Sequence, residues 1–318
     1  MADDLLAPPK WPVPRRGGAR WLRLVLKGSL AAAVVLFWAL FIRRNWDALT
    51  TIDWSLEPLW TVAALVAFGL YYLAQGAGWS MIARATGHQL RMSPGIGIWL
   101  LSMPARYVPG NLWHIAARIS LASGQGMPPG GVVLSSTVEQ MLMVLSAACL
   151  GLAWIPSWMG ASVLPWSAVL FLGCLIGLQP PVLRRALAMA SRVSGRRVGG
   201  VNLRYRHMAL LMAWYMLVNS MNGLGFALLS TAAGRAGPDL WPSLASAYCL
   251  AYVVGYVSFL TPSGIGVREA ALASMLGIYM STPAALALTL LARLLSTGAE
   301  ALAVSAFGLP SWLRGRAA

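Results

Sequence analysis

Long apolar stretches recur along the chain and are separated by short polar loops. Most are close to twenty residues or longer, about the length at which an α-helix crosses the hydrocarbon core of a bilayer. The hydropathy pattern predicts spans at about 24–42, 59–83, 130–155, 158–179, 208–233, 243–261 and 283–307. We therefore predict an all-α, polytopic integral membrane protein with about 7–8 transmembrane helices.

Two further segments have broken helical patterns. Residues 93–124 are interrupted by Pro94, Pro104, Pro109 and Gly110, and the segment is too short for two full spans. The loops on either side of the next two spans both carry arginine and should lie on one side of the membrane, so the segment must cross zero or two times. A re-entrant helical hairpin fits this constraint, because broken backbone is tolerated at membrane depth only against protein or a water-filled cavity.

Residues 260–281 resemble the first broken segment, with a proline, several glycines and then a short helix that opens at Arg268-Glu269. Each broken segment precedes a span that contains a buried acid, Glu139 in one case and Glu300 in the other. Interrupted segments in corresponding positions of two halves point to a midplane binding site in transporters built from repeats. An internal repeat would have the halves 21–179 and 208–310, and the loop charges leave open whether these are inverted or parallel.

Composition agrees with a membrane protein. Of the 318 residues, 58% are hydrophobic and only 10% are charged, whereas an average soluble domain has about 25% charged residues. The net charge of +15 comes mostly from arginines that flank the spans, which excludes a nucleic-acid binder and favours cytoplasmic loops. We predict a flexible, basic, cytoplasmic tail at 1–20 and one transmembrane domain at 21–318 with an Arg-rich cytoplasmic loop at 180–207.

No metal or cofactor site is visible in the sequence. The three cysteines lie in apolar runs without CxxC spacing, and the three histidines share no metal-ligand spacing. No phosphate-binding GxxxxGK[ST] loop occurs either. We therefore expect no metal, no cofactor and no ATP hydrolysis, and any driving force must come from an ion gradient, a partner or the lipid gradient itself.

Seven charged residues fall where a bilayer makes charge expensive, at about 2.5–3.5 kcal/mol for an Arg or Asp at a helix centre. They are three acids and four bases, which leaves one positive charge in excess: Glu139, Glu269, Glu300, Arg106, Arg118, Arg268 and Arg293. One interpretation is structural, with ion pairs that fix helix packing. The other is a polar cavity whose arginines bind an anionic group, since the planar guanidinium can grip two phosphate oxygens at once.

Three motifs carry a resemblance to a known family: PSGIGVREAAL at 262–272, YVPGNLWHIAAR at 107–118, and the pair Glu139-Gln140. Over nearly the whole chain after about residue 20, it resembles the lysylphosphatidylglycerol synthase transmembrane region, a flippase-like membrane domain. Members fused to a cytoplasmic aminoacyl-transfer domain make aminoacylated phosphatidylglycerol, and their membrane half is associated with its translocation. This chain ends soon after its last predicted span, so we do not expect it to transfer lysine.

The resemblance implies a membrane scaffold in a bacterial cytoplasmic (inner) membrane, with a cytoplasmic amino terminus. Its motif positions, joined by Arg106 and Glu300 from the buried charges, give the candidate substrate-binding residues: Arg106, Pro109, Gly110, Arg118, Glu139, Pro262, Gly264, Gly266, Arg268, Glu269, Arg293 and Glu300. Where the family often has Glu-Arg, this chain has Glu139-Gln140, which removes one charge.

The leading functional hypothesis is a lipid translocase of the flippase or scramblase type for an anionic or phosphate-bearing lipid. The alternative is a non-transporting accessory subunit that scaffolds enzymes of lipid or glycan biosynthesis, in which case the buried charges are structural. An intramembrane enzyme is disfavoured, because no convincing nucleophile–base pair is present. The partners that these hypotheses imply are membrane lipids, pathway enzymes and a second copy of the chain.

Overall fold

The computed structural model describes residues 55–107, 113–159, 205–257 and 266–311, with a few isolated positions outside these ranges. All regular elements in these ranges are helical, which confirms the all-α prediction. The α-helices are α1 (Pro58–Ala85), α2 (Met92–Ser102), α3 (Trp113–Ala122), α4 (Pro129–Met159), α5 (Tyr205–Ala232), α6 (Trp241–Val257), α7 (Val267–Leu276) and α8 (Thr282–Ala303). A 3₁₀ turn at Met103–Tyr107 extends α2, and a π-helical turn at Val304–Gly308 extends α8.

Four helical stretches within the described ranges are long and apolar enough to cross a membrane: Pro58–Ala85, Pro129–Leu152, Pro238–Val257 and Thr282–Ser311. Each coincides with a predicted span. Helix α5 is as long as α1, at 28 residues, but Asn219 and Asn222 interrupt its apolar run. The protein is therefore a multi-pass membrane protein. The tail 1–20, the span at 24–42, most of the span at 158–179 and nearly all of the loop 180–207 lie outside the described residues.

Both broken segments depart from regular α-helix among their described residues. In the first, α2 tightens into the 3₁₀ turn Met103–Tyr107, and α3 is described from Trp113. In the second, α6 is described to Val257, and α7 begins at Val267. Gly266 precedes α7 with φ of +87°, a backbone conformation that favours glycine because other residues place their Cβ too close to the backbone.

The described helices fall into two groups of four with the same order. Each group has a long helix, a helix that ends at the break, a ten-residue helix after it, and a second long helix. Helix α5 ends 147 residues after α1, so the two can be aligned at that offset. These features support the internal repeat, with α1–α4 in the first half and α5–α8 in the second.

The two halves are inverted relative to each other. Helices α1 and α5 pack side by side and run in opposite directions. The amide of Glu57, just before α1, donates to the carbonyl of Ala232 at the end of α5 (2.9 Å). Past the middle of α1, the indole of Trp214 in the first half of α5 donates to the carbonyl of Ala74 (3.0 Å). Because corresponding helices are antiparallel, the approximate two-fold axis lies in the membrane plane.

Glycines let equivalent helices approach closely in both halves. A Cβ on Gly76 would lie 3.1 Å from Cγ2 of Ile96, and one on Gly223 would lie 2.7 Å from Cβ of Ala245. Gly76 and Gly223 are each the nineteenth residue of their helix, and Ile96 and Ala245 are each the fifth. Small residues at such contacts are typical of membrane helix packing. The halves thus share their helix packing as well as their helix order.

Candidate functional site

Six of the seven membrane-embedded charges form ion pairs. Arg118 pairs with Glu139 (2.5 Å), Arg293 with Glu269 (3.2 Å), and Arg106 with Glu300. The sequence placed Arg293 and Glu300 on one helix face two turns apart, and the structure gives each a partner on a different helix. The predicted excess of one positive charge therefore resides on Arg268.

The Arg118–Glu139 pair is sealed inside the first half, with both side chains 0% exposed. Arg118 donates to Ser102 Oγ (3.2 Å) and Ser136 Oγ (3.0 Å), and the indole of Trp99 donates to Glu139 (2.5 Å). Of the charged groups in this pair, Nη2 of Arg118 has no hydrogen-bond partner among the described residues. Both residues were predicted to bind substrate. In this conformation both side chains are closed to solvent and form a buried ion pair.

The guanidinium of Arg118 also lies over two aromatic rings of the first half. Its Cζ is 5.0 Å from the ring centre of Trp79 and 5.6 Å from that of Trp99. Such contacts are electrostatically favourable because the faces of aromatic rings carry negative charge density. Helices α1, α2 and α3 are thereby joined around one buried arginine.

The Arg293–Glu269 pair fixes the helix that follows the second break. One oxygen of Glu269 meets Nη1 of Arg293 on α8, and the other accepts a hydrogen bond from the backbone amide of Gly266 (2.7 Å). Glu269 therefore caps the start of α7 and anchors it to α8 at once. The backbone amide of Gly266 at this helix start is therefore already used by Glu269.

The Arg106–Glu300 pair joins the two halves. Arg106 lies in the 3₁₀ turn that extends α2, and Glu300 lies on α8. Tyr107 donates a second hydrogen bond to the same carboxylate oxygen of Glu300 (2.9 Å). The guanidinium lies over the rings of Tyr72 (5.7 Å) and Tyr107 (5.2 Å). Glu300 is only 3% exposed, whereas the side chain of Arg106 is 29% exposed. The other oxygen of Glu300, Oε1, is buried without a hydrogen-bond partner among the described residues.

Arg268 has no carboxylate within ion-pair distance in the described part of the chain. Its guanidinium lies over the rings of Tyr248 (4.6 Å) and Tyr252 (5.7 Å) on α6. The two tyrosines are four residues apart and therefore share one face of the helix. Gly255 allows the approach, because a Cβ there would lie 2.7 Å from Cβ of Arg268. Arg268 is thus a half-buried cation on an aromatic surface beside a helix break.

One aromatic contact of Arg118 and one of Arg268 correspond in the repeat, and the ring next to Tyr248 also has a counterpart. Trp99 and Tyr248 are each the eighth residue of α2 and α6, and Trp79 and Phe226 are each the twenty-second residue of α1 and α5. The ring of Phe226 stacks on that of Tyr248 with centres 4.7 Å apart. Each half therefore sets an arginine of the short helix against a pair of aromatic residues.

Glu139, the acidic partner of Arg118 in the first half, has a basic residue at the corresponding position of the second half. Glu139 follows Pro129 by ten residues near the start of α4, and Arg293 follows Pro283 by ten residues near the start of α8. The second half consequently has a guanidinium where the first has a carboxylate. Arg118 and Arg268 themselves do not correspond, because Arg118 lies four residues before the end of α3 and Arg268 eight residues before the end of α7, and Arg268 has no acidic partner among the described residues.

Comparison with known families matches the sequence model of the lysylphosphatidylglycerol synthase TM region to residues 24–303. The chain belongs to this family. The match confirms the resemblance drawn from the motifs, and it covers all four helices of each half. No match was found among curated proteins.

Four predicted site residues of this family member, Pro109, Gly110, Pro262 and Gly264, lie outside the described residues. Sequence reasoning missed the tyrosines at the interface between the halves, Tyr72 and Tyr107, which contact Arg106. It also missed the contacts that aromatic rings make with the guanidinium groups of Arg118 and Arg268. A signal for the repeat was present: Gln75-Gly-Ala-Gly-Trp79 recurs as Asn222-Gly-Leu-Gly-Phe226. No three His, Cys, Asp or Glu residues in the described ranges are placed to hold a metal ion.

Proposed function

We propose that this protein moves an anionic or phosphate-bearing lipid across the membrane, as a flippase or scramblase, and that Arg268 binds the lipid headgroup. The observation that carries the proposal is the charge imbalance of the site. A charge within the membrane is costly unless it is paired, and Arg268 has no acidic partner among the described residues. A headgroup phosphate would supply that partner, and the guanidinium suits it because two of its N–H groups can bind two phosphate oxygens.

The position of the site agrees with a transport path. Tyr71 and Tyr72 are the two central residues of the 28-residue helix α1. The guanidinium of Arg106 lies over Tyr72, with Cζ 5.7 Å from the ring centre, so Arg106 lies beside the middle of this helix. Transporters built from inverted repeats bind their substrates near the bilayer midplane, between the repeats and at discontinuous helices. Arg106 pairs with Glu300 of the other half, and Arg268 follows the break at Gly266, which supports a site of this kind.

The experiment is a lipid-movement assay in liposomes that contain the purified full-length protein. Fluorescent phosphatidylglycerol and phosphatidylcholine report movement of an anionic and a zwitterionic lipid between leaflets. We expect wild-type protein to move the anionic lipid faster, and Arg268→Ala to reduce that movement at least about tenfold. Arg235→Ala is the matched control, because it removes an exposed arginine from a loop outside the site.

Two results would overturn the proposal. One is that wild-type protein, shown to be folded by its thermal unfolding, moves neither lipid. The other is that Arg268→Ala moves the anionic lipid at the wild-type rate.

A non-transporting scaffold is the second candidate function. The buried Arg118–Glu139 pair supports it, because an ion pair with both side chains 0% exposed can serve packing alone. In that case Arg268 would hold α7 against α6 through its tyrosine contacts. Arg268→Ala would then lower protein abundance and thermal stability, while the liposome assay would show no lipid movement with any variant.

A further inference from the structure

We infer that Glu300 is a proton-binding site, and that the protein carries a proton together with the anionic lipid. This inference rests on the proposed function and adds its energy source. It starts from the asymmetry of the Arg106–Glu300 pair. The carboxylate is buried at 3% exposure, while the arginine side chain is 29% exposed. An anion that enters the site can therefore reach Arg106 and cannot reach Glu300.

A headgroup phosphate would compete with Glu300 for Arg106. The side chain of Arg106 is 29% exposed and its guanidinium lies over the ring of Tyr72 at the middle of α1, so an anion that binds in the site can reach it. A phosphate is a strong acceptor for the guanidinium and forms bidentate contacts with it. As the phosphate binds, the Arg106–Glu300 ion pair is weakened or broken.

A carboxylate that loses its cation at this depth becomes neutral by taking up a proton. Burying an unpaired charge costs far more than burying a neutral acid. Oε1 of Glu300 is the atom available for this proton, because it is buried and has no hydrogen-bond partner among the described residues. The O–H bond forms with a proton from water on the side where the lipid enters. The proton leaves on the other side once the lipid departs and Arg106 pairs with Glu300 again.

The groups that face Glu300 leave no other cation to compensate it. The first broken segment contributes Arg106 and Tyr107, and α1 contributes Tyr72, which also contacts Arg106. On its own helix, Thr297 lies near the Tyr107 hydroxyl. Arg293, two turns away, is bound to Glu269 of α7. Within the described part of the chain, Arg106 is thus the cation on which the charged form of Glu300 depends.

In the first half of the inverted repeat, the position that corresponds to Glu300 is occupied by a residue without a titratable side chain. Ser146 precedes Glu300 by the 154 residues that separate Glu139 from Arg293. It accepts a hydrogen bond from Asn219 (2.7 Å), and Asn219 corresponds to Tyr72 in the α1–α5 match. A neutral hydrogen bond therefore serves packing at this position in the first half. The second half has an acid there, at the only ion pair that joins the described parts of the halves.

Carrying one proton with one monoanionic lipid transfers no net charge. The membrane potential then does not oppose the movement, and a pH gradient drives it. Each pH unit corresponds to a tenfold ratio at equilibrium, so the lipid should accumulate in the leaflet that faces the alkaline side.

The test imposes a pH gradient of about one unit across the same liposomes. Movement of fluorescent phosphatidylglycerol is followed together with an entrapped pH indicator. We expect up to tenfold enrichment of the label in the leaflet on the alkaline side, and acidification of that side as lipid moves. Glu300→Gln, a neutral isostere of the protonated acid, should move lipid slowly and without dependence on the gradient. Glu300→Asp, which retains a carboxyl group, should restore part of that dependence.

Gly298→Ala is the matched control on the same helix, because a Cβ there meets no atom within 4 Å, and it should keep the wild-type dependence on pH. If wild-type protein moves the lipid at a rate and to an extent independent of the gradient, with no proton flux, the inference fails and the proposed function stands. If Glu300→Gln keeps the full gradient dependence, the inference also fails. If wild-type protein moves no lipid, the proposed function fails and takes the inference with it. Should Glu300→Gln not fold, the proton flux of the wild type still decides.

Discussion

The Cζ atom of Arg268 lies 4.6 Å from the ring centre of Tyr248, and Arg268 has no acidic partner among the described residues. In the other half of the inverted repeat, Arg118 lies over Trp99 and is neutralised by Glu139. Each arginine thus lies over aromatic rings of its own half, and only Arg118 has an acidic partner among the described residues. The difference separates a charge that serves stability from a charge that we propose serves binding, and each role has its own consequences.

Removing one member of the sealed pair should destabilise the protein without changing which lipid it moves. Glu139→Gln leaves Arg118 buried without a counter-charge, which typically costs about 3–5 kcal/mol. We expect lower abundance and a lower thermal unfolding temperature in detergent, with an unchanged ratio of anionic to zwitterionic lipid movement in the protein that folds.

The double variant Arg118→Met with Glu139→Leu provides the comparison. Replacing both charges by apolar groups of similar size removes the unpaired charge, so it should recover much of the lost stability. A double variant that folds as poorly as Glu139→Gln alone would show that the pair does more than balance charge.

The close helix contact at Gly223 should not tolerate even a methyl group. A Cβ there would lie 2.7 Å from Cβ of Ala245 and 3.1 Å from its carbonyl oxygen, so the backbone of α6 would have to move. Gly223→Ala should therefore destabilise the protein by about 1–3 kcal/mol, measured by thermal unfolding. Gly69→Ala is the control, because a Cβ there meets nothing within 4 Å. It should be neutral or slightly stabilising, since alanine favours helix. Equal effects of the two variants would contradict the packing.

The start of α7 should depend on both Gly266 and Glu269. Gly266→Ala forces a Cβ into a backbone with φ of +87°, at a cost of about 1–2 kcal/mol. Glu269→Gln weakens the ion pair with Arg293 and the hydrogen bond from Gly266 together. We expect both variants to increase hydrogen exchange of the α7 amides. The exposed Ser274→Ala on the same helix should leave exchange unchanged, and protection of α7 in the first two variants would contradict the capping role of Glu269.

The sequence indicated the broken helices, the seven buried charges and the single positive excess, because each depends on residue type and local order. It did not indicate the pairing. Helical periodicity placed Arg293 and Glu300 on one face, yet their partners, Glu269 and Arg106, come from other helices. Arg268 remains unpaired because its neighbour Glu269 is already engaged by Arg293 and by the helix start, a competition decided by tertiary packing. The recurrence of Gln75–Trp79 at Asn222–Phe226 could have shown the repeat, whereas the antiparallel contact of α1 and α5 shows that it is inverted.

The guanidinium fork and the aromatic surface of the Arg268 site should both contribute to lipid movement. Arg268→Lys keeps the charge and loses the planar fork that binds two oxygens and stacks on tyrosine. We expect it to reduce movement of the anionic lipid about tenfold, the equivalent of about 1.4 kcal/mol, with little change in thermal stability. Tyr248→Leu removes the ring beneath the guanidinium, a contact worth about 0.5–2 kcal/mol, and should reduce movement several-fold. Tyr248→Phe keeps the ring and is its matched control. Equal rates for Tyr248→Leu and Tyr248→Phe, or a wild-type rate for Arg268→Lys, would show that headgroup binding does not use this geometry. The scaffold alternative predicts a different result in the same assay, because neither the wild-type protein nor any of these variants would move lipid.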